Sequence, residues 1–312
     1  MTMVCAAGVD VGKDFLDVSI VPLGRTFRVS NALAGIRTAV NRLQRAGVTR
    51  VVLESIGTYG MRLVRALADA GFEVGIVDPK RIKALRLAEG GRAKTDRLDA
   101  ELIARFALLM SDAARPIPDA KALEIRALSA RRRQVVEMAA MEKTRLKQAL
   151  DPEIAESCRI LIDQLNAERH RIEQKLQQHL LAEPDNVDRA ALLQSIPGIG
   201  PTIAMTLMSD MPELGTMDRK AVASLAGLAP HPNESGMRTG IRHIQGGRPC
   251  VRTALYMAAL TAARSDNGFK SEYQALRASG KPTKVALIAI ARKLVVAANA
   301  ILKAGQPWSH SA

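Results

Sequence analysis

The chain has 312 residues, enough for about two domains, and 47% of them are apolar, so it can bury sizeable cores. Its formal net charge is +14, and residues 219–312 hold 14 Lys and Arg against 3 Asp and Glu, a balance that suggests either a polyanion partner or a plain basic surface there. Three cysteines without metal-binding spacing argue against a disulfide framework, the charged opening MTMVCAAGVDVGKD against a signal peptide, and Arg292 and Lys293 inside VALIAIARKLVVAANAIL against a membrane span; a cytoplasmic, nucleoid-associated protein is expected.

VCAAGVDVG is a mostly apolar run, as expected of a buried strand. FLDVSIV and TFRVS follow after short polar breaks and complete a three-strand antiparallel meander. Asn31 is placed as the cap of a helix, ALAGIRTAVNRLQRAG, whose apolar residues recur at three-to-four spacing. RVVLES is a short β-branched strand, GTYGMRLVRALADAG a second helix and FEVGIVDP a last strand. The order β-β-β-α-β-α-β, followed by helices, is that of the ribonuclease-H-like fold. A right-handed crossover brings the strand of Glu54 beside that of Asp10.

Asp10 and Glu54 lie on predicted strands, and Asp96 and Asp99 open a predicted helix in AKTDRLDAELIARFA, three residues apart, so both can leave one face. Carboxylates gathered at one sheet edge repel unless cations sit between them. Such hard oxygen donors suit Mg²⁺ or Mn²⁺, and two such ions can clamp a phosphodiester under in-line attack. Taken singly, each residue has a plainer role. A strand-end Asp is usually a turn residue, and Asp96 serves equally as a helix cap with Asp99 in the favourable first turn. Four at fold-compatible positions favour the metal. Asp14 is read as a turn residue and Asp17 as a solvent-facing strand residue.

From Pro118 to Leu150 and from Pro152 to Leu181, apolar residues recur at helical spacing, among them Leu128, Val135, Met138, Met141, Leu165 and Ile172. Asp151 is read as N-cap and Pro152 as first helical residue of the second helix. Each helix would run about 45 Å, a projecting hairpin or coiled coil that is either a spacer or a dimerisation arm. The run Arg131-Arg132-Arg133 is either a solvated face or a contact to nucleic-acid backbone. Beyond the arm, SIPGIGPTIA resembles a helix–hairpin–helix turn, in which Gly198 and Gly200 let the backbone approach phosphate at a helix N-terminus; Gly is also an ordinary helix cap. GLAPHPNESGMRTGIRHIQGGRPCVR places Ser235 in a Gly/Pro-rich loop, where on local evidence it is a turn residue. Arg238, Arg242, Arg248 and Arg252 follow it, suited to phosphate oxygens. Lys94 and, in the last helix, Lys284, Arg292 and Lys293 join these as candidate nucleic-acid contacts.

The stretches GVDVGKDFLDVSI, VVLESIGTYG, AKTDRLDAELIARFA, SIPGIGPTIA, GLAPHPNESGMRTG, GGRPCVRTALYMAA and GKPTKVALIAIARKL together resemble the DEDD-type transposases of the insertion-sequence-110 group, with its pilin-gene invertase branch. The resemblance implies a RuvC-like domain over residues 1–115, a coiled-coil arm over 116–184 and a mostly helical transposase domain over 185–312. It implies that Asp10, Glu54, Asp96 and Asp99 hold Mg²⁺ or Mn²⁺ and that Ser235 attacks DNA to form a phosphoserine link. It also implies donor and target DNA, a noncoding bridge RNA and a dimer or tetramer as partners. Glu234, acidic beside the serine, departs from the expected loop. A RuvC-like nuclease that uses water, an invertase without an RNA guide, and a binding scaffold with a dead site are the alternatives.

Overall fold

The protein is described by a computed structural model covering residues 5–54, 59–90, 96–109, 120–231, 234–235, 238–239 and 243–309. It divides into two compact units, residues 1–118 and 119–312, so that the arm and the C-terminal helices form one body.

The first unit is built on a five-stranded sheet of β1 (Cys5–Val11), β2 (Phe15–Val21), β3 (Arg25–Ser30), β4 (Val48–Glu54) and β5 (Glu73–Val77), in the order β3-β2-β1-β4-β5. The meander is antiparallel, and β4 and β5 add parallel to β1. This is the ribonuclease-H-like order expected from the sequence. The pleat sorts side chains to two faces. Ala7, Val9, Leu16, Val18, Val51 and Leu53 meet the buried faces of α1 (Leu33–Arg45) and α2 (Met61–Asp69). On the other face Ala6, Val52 and Val77 meet α3 (Pro79–Ala88) and α4 (Asp96–Leu109) through Ile82, Ile103 and Phe106.

Two local expectations change. Asn31 does not cap α1, whose N-cap is Ala32 without a side-chain bond. Instead the Asn31 amide donates to Gly12 O at 2.9 Å and Tyr59 O at 3.2 Å, tying the first hairpin to the entry of α2. Asp17 is not turned to solvent. It is paired with Arg28 through three hydrogen bonds of 2.8–3.2 Å, on the same side of the sheet as its cross-strand partner Asp10.

In the second unit α5 (Ala120–Gln148) and α6 (Pro152–Leu181) form the expected hairpin. Asp151 accepts from Glu153 N and Ile154 N, and Pro152 starts α6. Val135, Ala139, Leu165 and Ile172 fill the seam, while Leu176 and Leu180 continue into the C-terminal core. Only Arg131 of the arginine run is exposed: Arg132 pairs with Glu173 at 2.7 Å, and Arg133 with Asp210 at 2.7 Å. The core gathers α7 (Pro184–Gln194), α8 (Pro201–Asp210), α9 (Arg219–Leu225), α10 (Pro249–Ala262) and α11 (Gly268–Ala278) around α12 (Thr283–Ala304). By length and mean hydropathy α12 could cross a membrane, but half of its apolar window is buried here among the other helices. Buried Asn299 on α12 accepts from Gly215 N and donates to Met217 O, anchoring the α8–α9 connection.

Between α9 and α10 the chain makes a nested β excursion where the sequence suggested only a loop. An outer pair, β6 (Pro230–His231) with β9 (His243–Ile244), carries an inner pair, β7 (Glu234–Ser235) with β8 (Arg238–Thr239). Two-residue strands leave no alternation to read, so the ladder is invisible to pattern.

Gly8 sets the seat of α4. A Cβ there would lie 2.1 Å from Ala104 N and 2.3 Å from Ala100 O, both backbone atoms. Gly8→Ala should therefore destabilise the protein by about 2–3 kcal/mol, as overpacking against a rigid backbone does. Thermal denaturation of the full chain, with a melting point equal to wild type as the contrary outcome, checks this.

Candidate active site

Asp10 and Glu54 come from neighbouring parallel strands. Val9 pairs with Leu53, which puts Asp10 and Glu54 one residue further along on the same level, and both alternate onto the face that carries α4. The row continues sideways through Asp17, opposite Asp10, to Arg28, opposite Asp17. The direction of α4 follows from two contacts. Arg50, the register partner of Ala6, donates to Ala107 O at 3.2 Å, whereas Gly8 meets Ala100 and Ala104. The helix thus runs antiparallel to β1, and its first turn, Asp96 to Asp99, lies toward the edge where Glu54 ends β4 and Asp10 precedes the last residue of β1.

Asp99 is 7% exposed and is ion-paired with Arg86 of α3. Arg81 stacked over Phe106 at 5.2 Å and Arg105 paired with Glu89 at 3.1 Å hold the same two helices together. The backbone of Asp96 begins α4. Among the described residues no three Asp, Glu, His or Cys side chains meet as a cation cluster. Among the described side chains, Asp10, Glu54 and Asp99 offer carboxylate oxygens at this edge. Their chemistry would suit a hard divalent cation, and one of them, Asp99, is neutralised here by the Arg86 guanidinium.

In the second unit Ser235 and Arg238 are direct backbone partners across the β7–β8 ladder. Arg248, at the N-cap of α10, is not free for phosphate. It donates to both oxygens of Glu213 at 2.6 Å and to Asp210 O at 2.8 Å, and its own N–H donates to Leu225 O. Arg252 donates to Gly246 O at 2.8 Å. These two arginines fasten the root of the excursion that carries Ser235. Asp210 also accepts from Ser129 and Arg133 of α5, so the root is tied to the base of the arm. Nothing in the sequence pattern marks Arg86, Asp210 or Glu213, because their partners lie 13 to 81 residues away.

Gly198, with φ +88°, approaches the protein's own α10 and not an external phosphate: a Cβ would lie 2.4 Å from Ala258 O. Gly200 is exposed and caps α8 in open space. Lys284 is exposed, Arg292 half-buried, and Lys293 is paired with Glu272. Lys94 and Arg242 lie outside the described residues, as do the side chains of Asp96, Ser235 and Arg238.

A transposase profile of the DEDD type, from the IS110 group, matches residues 7–154, the stretch that holds Asp10, Glu54, Asp96 and Asp99. A second profile, described as transposase of the IS116/IS110/IS902 family, matches residues 190–274, which hold Ser235. The chain belongs to the IS110 family of transposases. This IS110-family transposase is 28% identical over 262 residues to the pilin gene-inverting protein of Moraxella bovis, covering 83% of this chain and 81% of that one. It is 36% identical over 118 residues to a 44.8 kDa protein of insertion element IS116 from Streptomyces clavuligerus, 37% of this chain and 30% of that one. Among solved structures, T. thermophilus RuvC in complex with a Holliday junction substrate overlays at TM-score 0.30 and 15% identity, over 37% of this chain and 100% of that one. As a member of that transposase family, the protein is an enzyme that cuts and rejoins DNA.

The Glu213 carboxyl shows how tightly the root of the excursion is held. Burial alone would raise it, but the hydrogen bonds from Arg248 and its own backbone outweigh burial and hold it below the usual carboxylate range. A depressed folded-state value contributes stability above the unfolded value, and that contribution is lost as pH falls through the folded one. Arg248→Ala should cost about 1–2 kcal/mol at neutral pH, the figure reduced because Glu213 is partly solvated. The gap to wild type should narrow below about pH 4, measured by urea unfolding across pH; a gap independent of pH would remove Glu213 from the account.

Proposed function

We propose that this transposase recombines DNA through a covalent phosphoserine intermediate formed by Ser235, assisted by divalent cations held at Asp10, Glu54, Asp96 and Asp99. The observation that carries the reading is the convergence of the ends of β1 and β4 with the first turn of α4, inside the stretch that matches the DEDD transposases. When bound there, Mg²⁺ or Mn²⁺ would neutralise the scissile phosphate and polarise it toward attack. The Ser235 Oγ bonds to phosphorus as the bond from phosphorus to the 3′ oxygen breaks. The serine loses its proton, and the leaving oxygen takes one to become a 3′-hydroxyl. Attack of a 3′-hydroxyl on the phosphoserine reverses the step and frees the serine, so rejoining needs no ATP. Arg238, Arg242 and Lys94 are the phosphate contacts this reading retains, with Lys284 and Arg292 on the last helix. Arg248 and Arg252 act by holding the excursion.

The basic C-terminal part suits a structured guide RNA as well as DNA. The inverting relatives from Moraxella favour a second outcome of the same chemistry, inversion between two sites. The arm leaves Met141, Ile154, Ile160 and Leu161 exposed on its outer faces at 39–58%. Apolar surface along a projecting hairpin suits a second copy of the chain, and a shared assembly would let the carboxylates of one subunit serve the serine of another.

Two outcomes test this. Ser235→Ala should lose covalent adducts and recombination by roughly 10⁴-fold or more, as loss of a nucleophile does, while still binding DNA. Asp10→Ala or EDTA should abolish cleavage. Mixing the two variants should restore activity if the site is shared between subunits. Adducts at wild-type level in Ser235→Ala would leave a water-using nuclease as the reading. Separately, Ile160→Asp with Leu161→Asp should lower the mass seen by light scattering with little change in melting point, since exposed substitutions shift stability by only about 0.5 kcal/mol. An unchanged mass would make the arm a spacer.

A further inference from the structure

Asp99 is the most enclosed of the described carboxylates at the edge, and its Oδ1 accepts from the Nη2 of Arg86. A buried carboxylate beside others of its kind is costly unless a cation accompanies it. Arg86 supplies that charge from α3, which Arg81 on Phe106 and Glu89 on Arg105 hold along α4. Its side chain is 22% exposed, more than that of Asp99, so the arginine has access to solvent while it pairs with the carboxylate. A divalent cation bound to the same carboxylate brings two positive charges against the guanidinium, and both cannot share the oxygen without strong repulsion. Guanidinium geometry matches phosphate as well as carboxylate, and the phosphate to be cut must lie at the cation.

We propose that Arg86 is a positioning residue that exchanges partners: it neutralises Asp99 until a divalent cation takes that carboxylate, and it then binds a DNA phosphate, so that cation and DNA bind cooperatively. The inference rests on the reading of Asp99 as a cation ligand. Cation binding alone is weakened by the need to displace Arg86, and DNA removes that cost by offering the arginine a new anion. By linkage the cation strengthens DNA binding by the same factor.

The test is calorimetric titration of the full chain with Mn²⁺, alone and with a short mixed-sequence DNA duplex, correcting for uptake by the duplex itself. In wild type the duplex should tighten Mn²⁺ binding by about 5-fold or more. Arg86→Met should bind Mn²⁺ about 5-fold tighter than wild type without DNA, and the duplex should add less than about 2-fold. Arg86→Gln carries the same expectation if the methionine variant fails to fold. Equal or weaker Mn²⁺ binding by these variants without DNA overturns the exchange and makes Arg86 a fixed orienting partner of Asp99. Asp99→Asn separates the two levels. If it binds Mn²⁺ as wild type does, the cation reading of Asp99 fails; if it binds weakly while the Arg86 variants bind no tighter, only the exchange fails.

Discussion

The contact of α4 with β1 at Gly8 is the constraint on which the first unit depends. Only a residue without a Cβ lets a helix backbone lie directly on the central strand. That approach sets the height of α4 over the sheet. The bond from Arg50 to Ala107 O sets its direction. Height and direction together bring a turn containing Asp96 and Asp99 to the edge where Asp10 lies next to the end of β1 and Glu54 ends β4. The hydrophobic contacts of Ile103 and Phe106 with Val52 and Val77 stabilise this arrangement, but they would tolerate other helix heights.

Charge is then distributed around that edge. Asp17 stands opposite Asp10 and would repel it, yet its carboxylate is engaged by Arg28. Asp99 is enclosed and has Arg86. The edge thus mixes carboxylates with guanidinium groups placed one step behind them. Each such pair lowers the repulsion that would otherwise oppose folding. The second unit uses arginine in the same way. Arg133 and Arg248 meet at Asp210 and Glu213, and through them the base of the arm, the end of α8 and the root of the Ser235 excursion form one hydrogen-bonded assembly. A positive net charge therefore overstates the number of cations open to nucleic acid, since several act within the fold.

The division into two units places the carboxylates and the serine on separate bodies. Under the proposed reading such separation would be useful, because chemistry would proceed only when both bodies reach one phosphate, making assembly a checkpoint on cutting. The exposed apolar residues of the arm and the anchoring of the excursion at the arm's base would give that proposed checkpoint a physical route within the second unit.

The strand order, the long hairpin and the placement of Asp10 and Glu54 on strands and of Asp96 and Asp99 at a helix start were legible in the residues, because these elements leave local signatures: apolar runs of strand length, three-to-four spacing, and Asp151-Pro152 at a helix start. That the strand of Glu54 lies beside that of Asp10 followed from right-handed crossover, while their shared level comes from the register of the two strands. What the sequence could not reveal depends on contacts between distant residues. Asn31 serves a hairpin and not a helix, Gly198 meets α10 and not phosphate, Arg248 and Arg252 hold a loop, and Arg86 sits on Asp99. Residue type limits what a side chain can bond, but an arginine fits a carboxylate, a carbonyl or a phosphate equally well. Only the packing of helices and strands determines which of these lies within reach.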